Sequence, residues 1–243
     1  MNKARLKKTI IPLGLTILFL FITYFGNQLY AEHYHIVGKD YSYILYSINE
    51  KVPFISWTIY PYVLAYPFWL FGFLYFGYRS DKNLYIISSL AIISFIICGI
   101  WYFFWQSDVE AWRVTSGLFI NNDYALTRPD LNFTEKIVMF IYRSAGPRNA
   151  LPSMHTINSW ILIIAIRLDK KTPKSIKLFT LILSLAIIIA TQTLKQHYII
   201  DLIVGIALAE ALYWIILKSK AYLLFGRWFE WWGVKWHILE SVK

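Results

Sequence analysis

Two histidines stand where a histidine is costly. The stretches Leu151-Pro152-Ser153-Met154-His155 and Lys195-Gln196-His197-Tyr198-Ile199-Ile200-Asp201 each place one at the start of a long apolar run. An ionisable ring near a bilayer is expensive unless it is paired or used. Asp201 follows His197 by four residues, the spacing that puts two side chains on one helix face. The carboxylate can then hold one ring nitrogen and leave the other free. An imidazole oriented in this way is a nucleophile able to attack phosphorus, and the acid stabilises the positive charge that develops on the ring. His155, at the same end of another span, is placed to protonate a leaving alkoxide. Lys195 and Arg148 add positive charge for phosphate oxygens. Ser153 and the N–H groups that open the following helix face the same space, and helix N-termini bind anions well.

The elements that must position these groups are membrane helices. Of 243 residues, 58% are hydrophobic and 16% charged, and several apolar runs reach spanning length. Six spans are expected, near 9–30, 57–78, 84–106, 152–168, 176–193 and 198–218. They make an all-α polytopic bundle and a single membrane domain over 1–243, with 219–243 as an interfacial tail rich in tryptophan. Residues 1–30 also read as a signal peptide with a loose cleavage site at Ala31, but the length of the apolar run favours an uncleaved anchor. Cys98 lies in mid-span, where no disulfide or cysteine metal cluster is available to it.

The net charge of +10 does not indicate nucleic acid, because the cations follow the membrane. Most lie in the N-terminal tail, the 79–82 turn, the 167–177 connection and the C-terminal tail. In a six-span chain these segments share one side, which the positive-inside rule assigns to the cytoplasm together with both termini. Segments 31–56, 107–151 and 194–197 then face outward, as expected of a multi-pass plasma-membrane protein with an extracytoplasmic site. Within the long 107–151 connection, Thr134–Tyr142 reads as a short helix with Asn132 or Thr134 as its cap, ended by Gly146-Pro147. Glu32, His33 and His35 have a spacing able to bind a metal weakly, though solvated loop residues are the simpler reading.

These residues resemble the type 2 phosphatidic acid phosphatase superfamily. Pro152-Ser153-Met154-His155 and His197-x-x-x-Asp201 look like its second and third motifs, and Arg128-Pro129 like the end of its first. The wording Pro147-x-Asn149-x-x-Pro152-Ser153-x-His155 and Lys195-Gln196-His197-Tyr198 is closer to the inositol phosphorylceramide synthase-like branch. The resemblance implies a six-span enzyme, free of metal and cofactor, that works through a phosphohistidine. His197 would be the nucleophile, Asp201 its orienting partner and His155 the general acid, while Arg128 and Ser153 would hold the phosphate. Three positions depart from the pattern. Met154 replaces a usual glycine, the first motif's lysine falls on Asn121, and an expected arginine falls on Thr191. Lys195 is four residues beyond Thr191, about 40° around a helix, and can replace that arginine if the stretch is helical.

The expected activity is a lipid phosphatase or phosphotransferase acting on a lipid-linked phosphate or phosphodiester, with headgroup transfer as the alternative to hydrolysis. A lipid transporter or scramblase would carry polar groups through mid-span, where this chain has only scattered Ser and Thr and the acidic Glu210. An inactive partner subunit is the third reading.

Overall fold

The structure, a computed structural model, describes residues 3–239. It is 73% helical. The first span runs through α1 (Lys3–Leu20), a π-helical turn at Phe21–Phe25 and α2 (Gly26–His33). After the two-residue strand β1 (Lys39–Asp40) and the single turn α3 (Tyr46–Asn49) come α4 (Ile59–Arg79) and α5 (Asp81–Phe104). The second connection carries β2 (Ser107–Asp108), α6 (Glu110–Val114) and α7 (Phe133–Ala145). Then follow α8 (Met154–Leu168), α9 (Lys174–Thr193), α10 (Ile199–Ser219) and α11 (Tyr222–Lys235).

Six helices stand at the expected spans, but they are not equal. Among the described residues five are long and apolar enough to cross a membrane, while α8 has 15 residues, about 22 Å of helix against a hydrocarbon core of about 30 Å. α5 is the centre, packed by α1, α4, α8, α10 and α11. Around it Phe76, Leu90, Phe95, Ile161, Leu162 and Ile216 close a continuous core. The outer faces show Leu18, Phe71, Ile100, Ile182 and Ile215 exposed, an apolar surface suited to lipid.

Helix ends follow local chemistry. Ser80 caps α5 and Ser153 caps α8. Asn132 caps α7 in a reciprocal capping box with Glu135, and Gly146 ends that helix at φ 61°. The tail helix α11 docks on α1 and α5 with Phe229 buried, and presents Trp231 and Trp236 outward.

The connections gather at two ends. At one, Arg5 pairs with Asp81 at 3.0 Å, Lys8 reaches Asp81 and Glu230, and Arg79 pairs with Asp169. The four basic segments therefore meet there. At the other end β1 pairs with β2, Val109 N–H donates to Pro147 C=O, Ile55 N–H to Thr193 C=O, and the Tyr142 hydroxyl to Leu194 C=O. This joins 31–56, 107–151 and 194–197, and the histidines lie there.

Candidate active site

α8 and α10 begin side by side. Ser153 N–H donates to Asp201 C=O at 3.2 Å, and a Cβ on Gly205 would lie 3.2 Å from Ser153 C=O, so glycine is what lets the two helices approach. The approach brings the His155 and His197 rings to 6.2 Å between centroids. The His197 ring is buried beneath the connections and His155 is half-buried.

His197 is held through one nitrogen. Its Nδ1 is 2.9 Å from Ala150 C=O and 3.3 Å from Asp201 Oδ2. Both partners can only accept a hydrogen bond, which fixes the proton on Nδ1 and leaves the lone pair on Nε2. Asp201 Oδ2 also accepts from Tyr198 N–H at 2.9 Å, in the first turn of α10, where a carboxylate is favourable. Ala150 is aimed by its neighbours. The Ser107 hydroxyl accepts from the N–H groups of Ala150 and Leu151, and Gln106 exchanges two bonds with Asn149. Asn149 also donates to Tyr24 C=O.

His155 faces an aromatic wall. Tyr62 stacks on it at 4.4 Å and 17°, with the edges of Trp69 at 5.1 Å and Tyr66 at 5.9 Å. Its buried Nε2 has no hydrogen-bond partner. These residues line a cavity of about 280 Å³ that continues to Tyr24 and Met154. Met154, where the resemblance expects glycine, thus fills part of the approach.

The structure does not gather the other expected cations at this pair. Arg128 is partly exposed and bonded to Asp130 at 2.9 and 3.0 Å and to Gly117 C=O, and this guanidinium holds the Asp130 carboxyl below its ordinary range. Arg148 donates to Ile36 C=O. Lys195 lies outside any helix, since α9 ends at Thr193 and Lys195 has φ 53°, so the condition for its replacing Thr191 is not met. Its ammonium donates to Val52 C=O, sits 3.6 Å over the Trp112 ring and lines a separate cavity of about 450 Å³ with Asp40 and Glu50. Burial lowers the Lys195 pKa to about 8. The Ser153 hydroxyl oxygen is used as the cap of α8. Arg143 donates to Tyr124 C=O. Glu210, inside α10, accepts from Trp160 and pairs with Arg167 at 2.7 Å.

Sequence reading missed Arg113 and the aromatic wall. Arg113 is 2% exposed, yet one arginine in a polar connection looks solvated on paper. Tyr62, Tyr66 and Trp69 do have helical spacing, but so does any lipid-facing aromatic stripe.

A protein-family comparison bears on this geometry. The PAP2 superfamily model matches residues 114–224. The match takes in both histidine motifs and supports the superfamily; together with the apolar helices of an integral membrane protein it supports a membrane phosphatase-type function. No curated protein and no solved structure matches the chain.

Proposed function

We propose that this chain is an integral membrane phosphatase or phosphotransferase that acts on a lipid-linked phosphate or phosphodiester at the extracytoplasmic face through a phosphohistidine. The observation that carries the reading is the held His197 ring, its Nδ1 occupied by Ala150 C=O and Asp201 and its Nε2 free beside His155. The Nε2 lone pair attacks phosphorus, and the bond from phosphorus to the leaving oxygen breaks as His155 gives that oxygen a proton. His155 then takes a proton from water or an alcohol, whose oxygen attacks phosphorus and releases His197. Asp201 offsets the charge on the ring meanwhile. The apolar cavity beside His155 suits a lipid chain, which explains a site at the membrane boundary. The basic end of the bundle, where Arg5, Lys8 and Arg79 gather, is assigned to the cytoplasm.

The second reading is headgroup transfer, favoured by the Asn149 and Lys195-Gln196-His197-Tyr198 wording and by Met154 in the approach, which narrows access. Labelled phospholipid incubated with and without candidate alcohols separates free phosphate from a transferred headgroup. The nucleophile is tested by quenching the purified protein in base after a short exposure to a labelled lipid phosphate. Wild type is expected to retain acid-labile label and His197→Ala none. Full turnover by His197→Ala would sink the reading.

A further inference from the structure

Arg113 is a buried cation without an anion. Its Nη1 donates to the Tyr124 hydroxyl and Tyr142 C=O, both at 2.9 Å, and its Nη2 to Gln196 Oε1 at 2.6 Å. The guanidinium also lies 4.7 Å from the centre of the Tyr142 ring. All of these partners are neutral, and no carboxylate among the described residues pairs with it. A buried charge in that position is costly. Burial pushes the Tyr142 hydroxyl pKa up, and the Arg113 charge pulls it partly back.

The unused donors show what is missing. A guanidinium has five N–H groups and cannot accept, and Nε is buried without a partner. Because Arg113 can only donate, Gln196 must turn its oxygen toward it, which leaves the Gln196 amide NH₂ facing elsewhere. That nitrogen too is buried and unpartnered. One buried donor on each member of this pair therefore lacks an acceptor, and Gln196 immediately precedes His197 in the chain. The pair is anchored to the same loop, since Trp112 Nε1 donates to His197 C=O at 3.1 Å. Gln196 N–H in turn bonds to Thr191 C=O, so the guanidinium reaches in near a position where the resemblance expects a cation and the chain has threonine. Arg113 itself lies one residue outside the matched segment.

We propose that Arg113 and Gln196 form a buried anion seat that holds the substrate's phosphate against His197. The seat rests on the phosphoryl-transfer reading above. An arriving phosphate would take up the free Nε–H and the Gln196 amide, and its negative charge would offset the guanidinium.

The decisive variant is Gln196→Glu, which keeps the shape and the bond to Arg113 but supplies the carboxylate that the seat lacks. Binding of inorganic phosphate to the purified full chain is measured by calorimetry, together with turnover of a lipid phosphate and thermal unfolding. Gln196→Glu and Arg113→Gln are each expected to weaken phosphate binding about tenfold or more. Arg113→Lys should retain part of it, and Gln196→Glu should unfold no earlier than wild type. If Arg113→Gln fails to fold, Gln196→Glu alone decides. Phosphate bound as tightly by Gln196→Glu as by wild type, or not bound by wild type at all, overturns the seat. His197→Ala with full turnover, beside weakened phosphate binding in Gln196→Glu, would remove the nucleophile reading and leave the seat standing.

Discussion

At the basic end of the bundle Arg5, Lys8 and Arg79 each reach a carboxylate, and these three side chains are 29–40% exposed. At the other end His155 Nε2, Arg113 Nε, Gln196 Nε2 and Asp201 Oδ1 are buried with nothing opposite them. The basic end even holds the larger cavity, about 900 Å³ between α1 and α4 beside Arg5 and Arg79, but both arginines there are already paired. Unpaired ionisable and amide groups, and not cavity size, set the histidine end apart from the basic end. Paired surface ions contribute little to stability, whereas an unmet buried donor is costly and calls for a partner.

That contrast is broken or sharpened by substitution. His155→Ala should lower turnover about 10²–10⁴-fold on an alkyl phosphate, and by much less on a nitrophenyl phosphate, whose leaving group needs no proton. An equal loss on both would refute the acid role. Gly205→Val forces α10 from the start of α8. It should lower stability by about 1–3 kcal/mol and, by separating the histidines, slow turnover up to about 10²-fold, read by thermal unfolding and steady-state kinetics.

Lys195→Met tests a buried cation of the site end that is not at the histidine pair. Between about 8 and the ordinary 10.5 the folded chain has shed a proton that the unfolded chain keeps, so the Lys195 contribution makes stability rise with pH in that window. Unfolding midpoints of wild type and variant, compared from pH 7.5 to 10.5, should show wild type gaining relative to Lys195→Met. A constant difference would count against it. Arg5→Gln, at the paired end, should change stability by about 0–1 kcal/mol and turnover by less than about twofold. A large loss of turnover would show that the two ends are coupled.

Much of this was legible because hydropathy and capping act locally. Span positions, the Asn132 cap, the Gly146 stop and the gathering of four basic segments at one end follow from composition along the chain. The His197–Asp201 contact follows from a four-residue spacing. By contrast, the sequence placed a short span at 152–168 but did not show what buries its first residues, because that depends on how Gln106 and Ser107 bind 149–151. Lys195 misled for a related reason: charge beside a histidine says nothing of direction, and the left-handed turn at residue 195 carries the ammonium into another cavity.

By itself the sequence determined the apolar runs that form helices long enough to cross a membrane, roughly where they lie, and which histidine has an acid four residues on. Only the tertiary structure decided which atoms are left unpaired. The Ala150 carbonyl that fixes the His197 tautomer is 47 residues away in sequence, and Arg113 reaches Gln196 across 83 residues. Hydrogen-bond satisfaction in a buried site is a property of every segment packed around it, so no local pattern can report it.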